Sequence, residues 1–503
     1  MIMKIKIYSV FFIAICLTTS CLDLKSELSD VLSGDTFPKN EQDCENLVTA
    51  AAYGPFRAYW GAMFTAGEDG YHVVGDMCTD VLCCKWEDAK WKPLNNVYFT
   101  PTTTACTKIY SSHINGLSKI TLTFDRIAAV KLPEQTRSRM EAELYCGRGW
   151  LAYLLFDMYG GLQVADLETL KNPLQDIIVP RLSHEKTVEF IEENLRNALE
   201  TKALADNYRG GDAEYGRYTN GLVHMILLKL YMHEKEWAKA EIEARELMNP
   251  KYGYALQKEY KDVFTLENEG NSEIIWAATC SRVAYANTQM WLSQVLPSVY
   301  PTKNTAITKW DGYRMPWQFY NTFNKLEDKR LEVLIGEFVG NDGVTYNEKF
   351  PGTPLDKGAL PIKVGEDPND TGNGSDVDWV VYRYADVLLS MSEILARQYG
   401  VTDEALDCIN EVRNRAGLRD LEFGVDYETT EDFLDKILLE RGHELWGEGS
   451  RRSDLIRFGK FVEYAKKYNG STTVEDHMVL MPLPQAIINE GKGKVVQNPG
   501  YND

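Results

Sequence analysis

Apolar residues recur at helical spacing through the first half of the chain. A stripe of large apolar side chains ends at Gly160, and a second amphipathic pattern begins at Ser183 and runs to about residue 204. A third pattern covers residues 222–230. The segment after it places small alanines on one face, which allows two helices to approach closely. The stripe positions are Leu144, Leu151, Leu154, Leu155 and Met158 in the first pattern and Ala240, Ala244 and Leu247 in the last.

The same periodicity returns late in the chain. One apolar face continues through "DWVVYRYADVLLSMSEILAR", which predicts regular helix from Trp379 onward. Thr402 and Thr430 precede acidic residues and are predicted to cap the next two helices. The pattern therefore predicts a mostly α-helical protein whose scaffold covers about residues 40–250 and 379–465. Its helix hairpins resemble tetratricopeptide repeats, although no strict repeat of about 34 residues is visible.

Two long irregular insertions interrupt the helical pattern, at about residues 65–110 and 255–375. The second is rich in Gly, Pro, Asn and aromatic residues and holds short β-like runs such as "EIIWAAT". Because long loops on a rigid scaffold often carry binding residues, we expect the ligand site there. The candidate ligand contacts are Trp86 and Trp91 in the first insertion and Tyr285, Trp291, Trp310, Tyr313 and Trp317 in the second. The alternative is that each ring closes a local hydrophobic cluster.

Charge and the N-terminal residues narrow the class of protein. The 503 residues hold 54 Lys and Arg against 74 Asp and Glu, and a formal net charge of −20 repels nucleic-acid phosphates.

Two lysines and the uncharged residues 7–17 are typical of a secretion signal, and the run is shorter than the roughly 20 residues of a membrane span. A signal peptide over residues 1–20 would place Cys21 first in the mature chain.

The residues around Cys21 resemble a bacterial lipobox. Small residues precede this cysteine, and acylation there would anchor the protein to a membrane. Cys16 is the weaker candidate because the bulky Ile15 precedes it. An ordinary signal peptide with a cysteine nearby by chance is the alternative.

Four stretches of the C-terminal third, taken in their order along the chain, carry the clearest motifs of the sequence. They are "YRYADVLLSMSEILAR", "ALDCINEVRNRAGL", "LLERGHELWGEGSRRSDLIRFGK" and "VVQNPGY". Together they resemble the SusD/RagB family of outer-membrane nutrient-binding lipoproteins. The resemblance implies one SusD-like glycan-binding domain over residues 21–503, facing the cell exterior. It also implies delivery of the glycan to a SusC-like TonB-dependent outer-membrane transporter. Asp88, Asp311 and Arg314 are close enough in sequence to the candidate rings to bond sugar hydroxyls.

Catalytic and metal motifs receive little support. No serine-hydrolase, zinc-protease or nucleotide-binding motif occurs, and the seven histidines show no ligand spacing. We therefore expect no enzyme, cofactor or metal site. A lipid-anchored glycoside hydrolase and a helical-repeat scaffold that binds protein remain the alternatives. Residues 367–378 partly fit a calcium loop, but a polar turn is the favoured interpretation.

Two further clusters favour structural roles. Glu440, Glu444 and Glu448 share a helical face, and they are predicted to form a partly buried ion-pair network rather than a catalytic pair. The predicted cations are Arg441, Arg451 and Arg457. Four cysteines crowd one stretch and are predicted to be buried thiols, with one disulfide as the second interpretation and a metal as a distant third. They are Cys78, Cys83, Cys84 and Cys106.

Overall fold

The computed structural model describes residues 37–283 and 287–501 of the chain. These residues form a mostly α-helical, tetratricopeptide-like scaffold that two irregular insertions interrupt, as the apolar pattern predicts. The predicted signal peptide, residues 1–20, and the predicted lipid-attachment residue Cys21 lie outside the described residues.

The N-terminal half of the scaffold forms where the apolar stripes fall. Helix Glu134–Tyr159 buries its stripe and ends at Gly160, whose φ of +71° suits a residue without a Cβ. The next long helix begins after Ser183, whose hydroxyl accepts a hydrogen bond from the N–H of Lys186 at 3.2 Å. The helices of this half are α1 (Glu41–Val48), α2 (Tyr71–Met77), α3 (Lys92–Asn95), α4 (Thr104–Ala128), α5 (Glu134–Tyr159), α6 (Leu167–Lys171), α7 (His184–Glu200), α8 (Asn220–His233) and α9 (Trp237–Leu247).

A four-stranded antiparallel sheet joins the two insertions. The insertions contribute helices α10 (Trp291–Val295) and α11 (Trp317–Tyr320) and strands β1 (Cys83–Cys84), β2 (Ile274–Ala278), β3 (Tyr313–Pro316), β4 (Leu334–Ile335), β5 (Glu337–Val339), β6 (Thr345–Asn347), β7 (Gly358–Pro361) and, at the end, β8 (Trp379–Arg383). The sheet order is β1-β3-β7-β4, so the first insertion lies directly beside the second. Strands β5 and β6 form a separate hairpin.

The C-terminal helices confirm the late apolar face but move its start. Trp379–Arg383 is a strand, β8, and the predicted helical start at Trp379 was wrong because this run pairs antiparallel with Ile274–Ala278. Its β-branched and aromatic side chains suit a mostly buried strand. Thr402 caps its helix as predicted. The helices are α12 (Tyr384–Tyr399), α13 (Asp403–Arg415), α14 (Thr430–Leu445), α15 (Arg451–Arg457), α16 (Phe461–Tyr468) and α17 (Gln485–Glu490).

The cap of helix α14 differs from the prediction by one residue. The hydroxyl of Thr429, rather than that of Thr430, accepts a hydrogen bond from the N–H of Asp432, and the Asp432 carboxylate accepts one from the N–H of Thr429. This reciprocal capping box selects Thr429 because the box needs a carboxylate three positions after the cap.

A buried ion-pair network holds helix α14 against the second insertion and strand β8. The pairs are Glu440 with Arg330 and Arg413, Glu444 with Arg330, Arg383 and Arg415, and Glu448 with Arg383 and Lys363. The predicted network is confirmed, but its predicted cations were wrong. They bind elsewhere: Arg441 to Asp386 and Asp454, Arg451 to Asp80, and Arg457 to Glu393 and Asp454.

The charges of this network keep its carboxylates ionised. Burial alone would raise the pKa of Glu444, but Arg415, Arg383 and Arg330 outweigh it and hold that pKa well below its ordinary value of 4.5. A carboxylate that stays ionised at neutral pH cannot supply a proton to a substrate. The network is therefore structural.

The crowded cysteines are free thiols. Cys78, Cys84 and Cys106 are buried, and Cys83 is half-buried on strand β1. Burial raises the pKa of Cys78 to about 12, which keeps the thiol protonated and unreactive.

Candidate functional site

The pairing of β1 with β3 brings aromatic residues of both insertions together. Cys84 pairs with Tyr313, and the N–H of Lys85 reaches the carbonyl of Gly312 at 2.8 Å. Trp86, next along the chain, then lies over Gly312. A Cβ at Gly312 would come within 2.8 Å of the Trp86 ring, so this close approach depends on glycine.

Three of the predicted ligand contacts lie in the core. Trp91 is 3% exposed, Trp291 1% and Tyr313 0%. The indole N–H of Trp291 donates to the carbonyl of Pro361 at 2.7 Å, and the Tyr313 hydroxyl donates to the carbonyl of Ala66 at 2.5 Å. Because their ring faces are covered by protein, these residues offer no stacking surface in this conformation. For them the local-cluster interpretation replaces the expected contact with ligand.

The remaining predicted rings keep part of their surface exposed. Trp86 is half-buried, and its ring centroid lies 5.7 Å from that of the buried Trp91. Trp317 is also half-buried, but it follows β3 whereas Trp310 precedes that strand, so the two occupy opposite ends of it. The indole N–H of Trp317 donates to the carbonyl of Leu355 at 2.9 Å. Tyr285 lies outside the described residues.

The exposed Trp60 forms an aromatic pair with the half-buried Trp310. Their ring centroids are 6.3 Å apart with an interplanar angle of 35°, and Trp60 is 42% exposed. We call this pair the Trp60–Trp310 platform. The half-buried Trp86 is close to this pair, because its ring lies against Gly312, two residues after Trp310.

Trp60 was missed from the sequence because the first insertion was predicted to begin at about residue 65. The available signal was "YGPFRAYWGAMF", where glycine and proline interrupt the helical pattern before Trp60. In the structure regular helix indeed ends at the π-helical turn Thr49–Tyr53. The insertion therefore starts early enough to include this ring.

The segment that contacts the Trp60 ring is followed by charged side chains. Gly67 lies against this ring, since a Cβ at that position would meet the ring at 2.8 Å. The adjacent Glu68 binds Lys90 and Lys108, each at 3.2 Å. Burial raises the pKa of the neighbouring Asp69. The Asp69 carboxylate lies 3.1 Å from the same Cβ position at Gly67, so an acceptor is close to the exposed ring.

The polar residues predicted to bond sugar hydroxyls also divide into buried and partly exposed side chains. Asp311 is half-buried and binds the ammonium of Lys85 at 2.8 Å, which leaves it at the edge of the platform. Arg314 is completely buried, and its guanidinium donates to the carbonyls of Val295 and Pro354 at 2.8 and 2.9 Å. Arg314 therefore holds the loops in place and cannot reach a ligand. Asp88 remains exposed.

The loop over residues 367–378 is a hydrogen-bonded polar turn. The Asp367 carboxylate accepts hydrogen bonds from the N–H groups of Asn369 at 2.7 Å and Asp376 at 2.9 Å. It also binds the guanidinium of Arg282 at 2.5 Å. Across residues 37–283 and 287–501, no three His, Cys, Asp or Glu side chains are grouped so that they could hold a metal ion.

The described helices do not include a membrane span. None of those within the described ranges combines the length and the apolar character that crossing a bilayer requires. The candidate site described above consists of aromatic and polar side chains on loops of a helical scaffold.

Comparison with known proteins agrees with the fold. A surface glycan-binding protein A of Bacteroides thetaiotaomicron, solved in complex with laminarihexaose, superposes with a TM-score of 0.72 at 19% identity, covering 92% of this chain and 100% of that one. Two sequence relatives also span most of the chain. A SusD-like protein of Formosa agariphila is 22% identical over 93% of this chain and 94% of its own length. The starch-binding protein SusD of Bacteroides thetaiotaomicron is 22% identical over 86% of each chain.

The family model matches the part of the chain that carries the sequence motifs. The model of the SusD family covers residues 338–501, which include all four stretches singled out from the sequence. The fold and the two relatives extend the likeness over most of the chain. The C-terminal third of this protein, residues 338–501, therefore matches the SusD family, and its whole fold is like that of solved SusD-like proteins.

Proposed function

We propose that this protein captures glycan at the bacterial outer membrane and delivers it to a TonB-dependent transporter. The observation that carries the proposal is the Trp60–Trp310 platform, in which the exposed Trp60 ring lies beside the half-buried Trp310 ring on loops of a helical scaffold. Two relatives support it: one is named a starch-binding protein, and another was solved with laminarihexaose bound. The ligand class is therefore an oligosaccharide.

Stacking on rings that are already in place is the proposed mechanism of capture. The C–H faces of sugars pack on indole rings, and each such contact contributes about 0.5–1.5 kcal/mol beyond the buried area. The buried Trp91, Trp291 and Tyr313 lie beneath the loops and restrict their movement. A platform that is already ordered loses less conformational entropy when ligand binds.

A lipid anchor and a partner complete the proposal. Acylation of Cys21 would hold the protein at the outer membrane, facing the cell exterior. A SusC-like TonB-dependent transporter beside it would then receive glycan at a high effective concentration even if each stacking contact is weak. Co-purification from the native membrane in mild detergent tests the partner, and a protein that always purifies without a β-barrel transporter would contradict it.

Substitution of the platform tests glycan capture. Trp60→Ala and Trp310→Ala should each weaken binding to the glycans retained on an affinity-gel screen by roughly 1–3 kcal/mol, while the melting temperature holds. The matched control is Phe423→Ala, which removes a ring that is 73% exposed but lies in another loop. Unchanged affinity in both tryptophan variants, or a loss that only follows stability, would place the ligand elsewhere.

The proposal involves binding without bond cleavage. The best acid pair for a hydrolase is Glu269 and Asp378, whose pKa values burial raises. Asp378, however, is 5% exposed and accepts a hydrogen bond from the N–H of Cys280 at 2.7 Å, so a polymer cannot reach it. Incubation with glycan separates the classes. Retention without new reducing ends supports capture, new reducing ends support a lipid-anchored glycoside hydrolase, and neither supports a protein-binding scaffold.

A further inference from the structure

A cavity of about 760 Å³ opens beside the segment that carries Trp60. It lies between the π-helical turn Thr49–Tyr53, residues 213–217 and strand β2. Its volume is within the roughly 300–1,000 Å³ of small-molecule sites. Aromatic residues form much of its wall: Tyr53, Phe56, Tyr215 and Trp276.

Tyr53 presents a fixed ring to this cavity. Its ring stacks on that of Tyr218 with centroids 4.1 Å apart and an interplanar angle of 22°. The Tyr53 hydroxyl accepts a hydrogen bond from the N–H of Tyr218 at 3.2 Å, and the Tyr218 hydroxyl donates to the carbonyl of Ala52. Because one face of Tyr53 is covered by Tyr218 and the residue is only half-buried, its other face is available to a ligand.

The rest of the wall is equally well held. Phe56 stacks on Trp150 with centroids 4.1 Å apart and an interplanar angle of 7°. The indole N–H of Trp276 donates to the carbonyl of Gly216 at 3.1 Å. The cavity therefore needs no rearrangement of its aromatic wall to accept a flat-faced ligand.

The charged side chains that line the cavity are paired, with the exception of Arg57. Glu214 binds Arg217, which also binds Glu45 and Glu143. Arg57 is exposed, and within the described ranges its side chain makes one hydrogen bond, to the carbonyl of Gly54 at 3.4 Å, and no ion pair. Its remaining N–H groups are free to donate. Arg139 also binds Glu45 and Glu143, so three arginines balance three glutamates here, which favours an uncharged ligand.

We infer that this cavity is a second sugar-binding site, which holds a further part of the uncharged oligosaccharide that lies on the Trp60–Trp310 platform. The inference rests on the proposed function. An aromatic face can stack on a sugar ring. The guanidinium of Arg57 can donate hydrogen bonds to the hydroxyls of that sugar. Arg57 and Trp60 are three positions apart, so their Cα atoms are at most about 11 Å apart, which one short oligosaccharide can bridge. Long chains then bind more tightly than short ones because both sites engage one molecule.

Filling the cavity tests the inference without disturbing the core. Ala50 is exposed on the cavity wall, and Ala50→Phe places a ring inside it. Its matched control is Ala128→Phe, at an exposed position near the end of α4. The probes are laminari- and malto-oligosaccharides from disaccharide to hexasaccharide, with the same length series of any glycan retained on the affinity gel. Binding is measured by calorimetry and melting temperature is followed in parallel.

The expected result is a loss of length dependence. Affinity of the unaltered protein rises at least tenfold from the short to the long chains, and Ala50→Phe removes this gain while short-chain affinity holds. Tyr53→Phe, which keeps the ring, retains the gain, and Tyr53→Leu does not. Ala128→Phe behaves as the unaltered protein.

The other outcomes separate the inference from the proposed function. If Trp60→Ala weakens binding but Ala50→Phe leaves the length dependence unchanged, the cavity is not a sugar site and the proposed function stands. If binding is lost in Ala50→Phe but not in Trp60→Ala, glycan binds in the cavity alone. That result would overturn the inference that one oligosaccharide occupies both sites. If none of the probes binds, both fail.

Discussion

The Glu444 carboxylate binds the Arg383 guanidinium at 2.5 Å, and both side chains are completely buried. Arg383 ends strand β8, and Glu444 lies near the end of helix α14. The same carboxylate also binds Arg330 and Arg415, which come from the second insertion and from helix α13. One side chain therefore joins the loop-rich part of the protein to the C-terminal helices.

Removal of Glu444 should destabilise the protein severely. Glu444→Ala leaves buried guanidinium groups without their anion, and breaking a buried pair in this way costs about 3–5 kcal/mol. Chemical denaturation measures the change in the free energy of unfolding. Asp435→Ala is the control on the same helix, because the Asp435–Lys460 pair is exposed and is worth at most about 1 kcal/mol. Equal losses in the two variants would contradict a structural role for the network.

The protein should lose stability in acid. Burial alone would raise the pKa of Asp386, but Lys229 and Arg441 outweigh it and hold that pKa below its ordinary value of 3.8. Glu444 is likewise held below 4.5. Since the folded state resists protonation, the stability from these groups is complete above the ordinary values and is lost as the pH falls below them. Denaturation midpoints that stay constant from about pH 7 to about pH 3 would argue against this.

The Glu269–Asp378 pair should act in the opposite direction. Burial, and then the nearby Asp378 charge, raises the pKa of Glu269, and burial raises that of Asp378. Raised values stabilise the fold fully below the ordinary pKa values, and this contribution is lost as the pH rises through the raised ones. Glu269→Gln keeps an acceptor for the N–H of Asp378 and removes one charge, so the decline should flatten. Glu267→Gln, at an exposed neighbour, should leave the profile of unfolding free energy against pH unchanged.

A methyl group at residue 67 should displace the Trp60 ring. The Cβ of Gly67→Ala would lie 2.8 Å from that ring, which has to move relative to Trp310. Glycan affinity should fall by about 1 kcal/mol, roughly fivefold, with little change in melting temperature because Trp60 is exposed. Gly372→Ala is the control, since a Cβ there meets no atom within 4 Å. A fall of similar size in both variants would remove the platform from the explanation.

Replacement of Cys21 should release the protein from the membrane fraction. Cys21→Ala removes the thiol that would be acylated, and no helix in the described ranges can span a bilayer in its place. Cys16→Ala is the matched control and should stay membrane-bound. Fractionation in a strain without the partner transporter gives the measurement, and membrane retention of Cys21→Ala there would rule out this anchor.

The positions of the helices could be read from the sequence because their signals are local. The stripe that ends at Gly160, the cap at Ser183 and the cap at Thr402 each depend on residues within a few positions of one another. Helix α12 was placed correctly except at its start. There, pairing with β2 converts Trp379–Arg383 into a strand, and a distant partner leaves no local trace.

The candidate site could be predicted only in part. The sequence placed it on the two insertions, and Trp86 and Trp310 do keep exposed surface there. It did not separate these from Trp91, Trp291 and Tyr313, because a loop tryptophan that is buried and one that is exposed have the same local pattern. It also missed Trp60, since the first insertion begins earlier than the predicted boundary.

The sequence by itself determined the helical scaffold, the two insertions, the SusD/RagB motifs and the presence of an acidic network around Glu444. Apolar periodicity, caps and motif order are properties of neighbouring residues, so they survive without knowledge of the fold. Only the tertiary structure decided which arginines bind Glu444, which rings are buried and that Trp60 meets Trp310. Each of these depends on contacts between segments far apart in the chain, and above all on the pairing of β1 with β3 that joins the insertions.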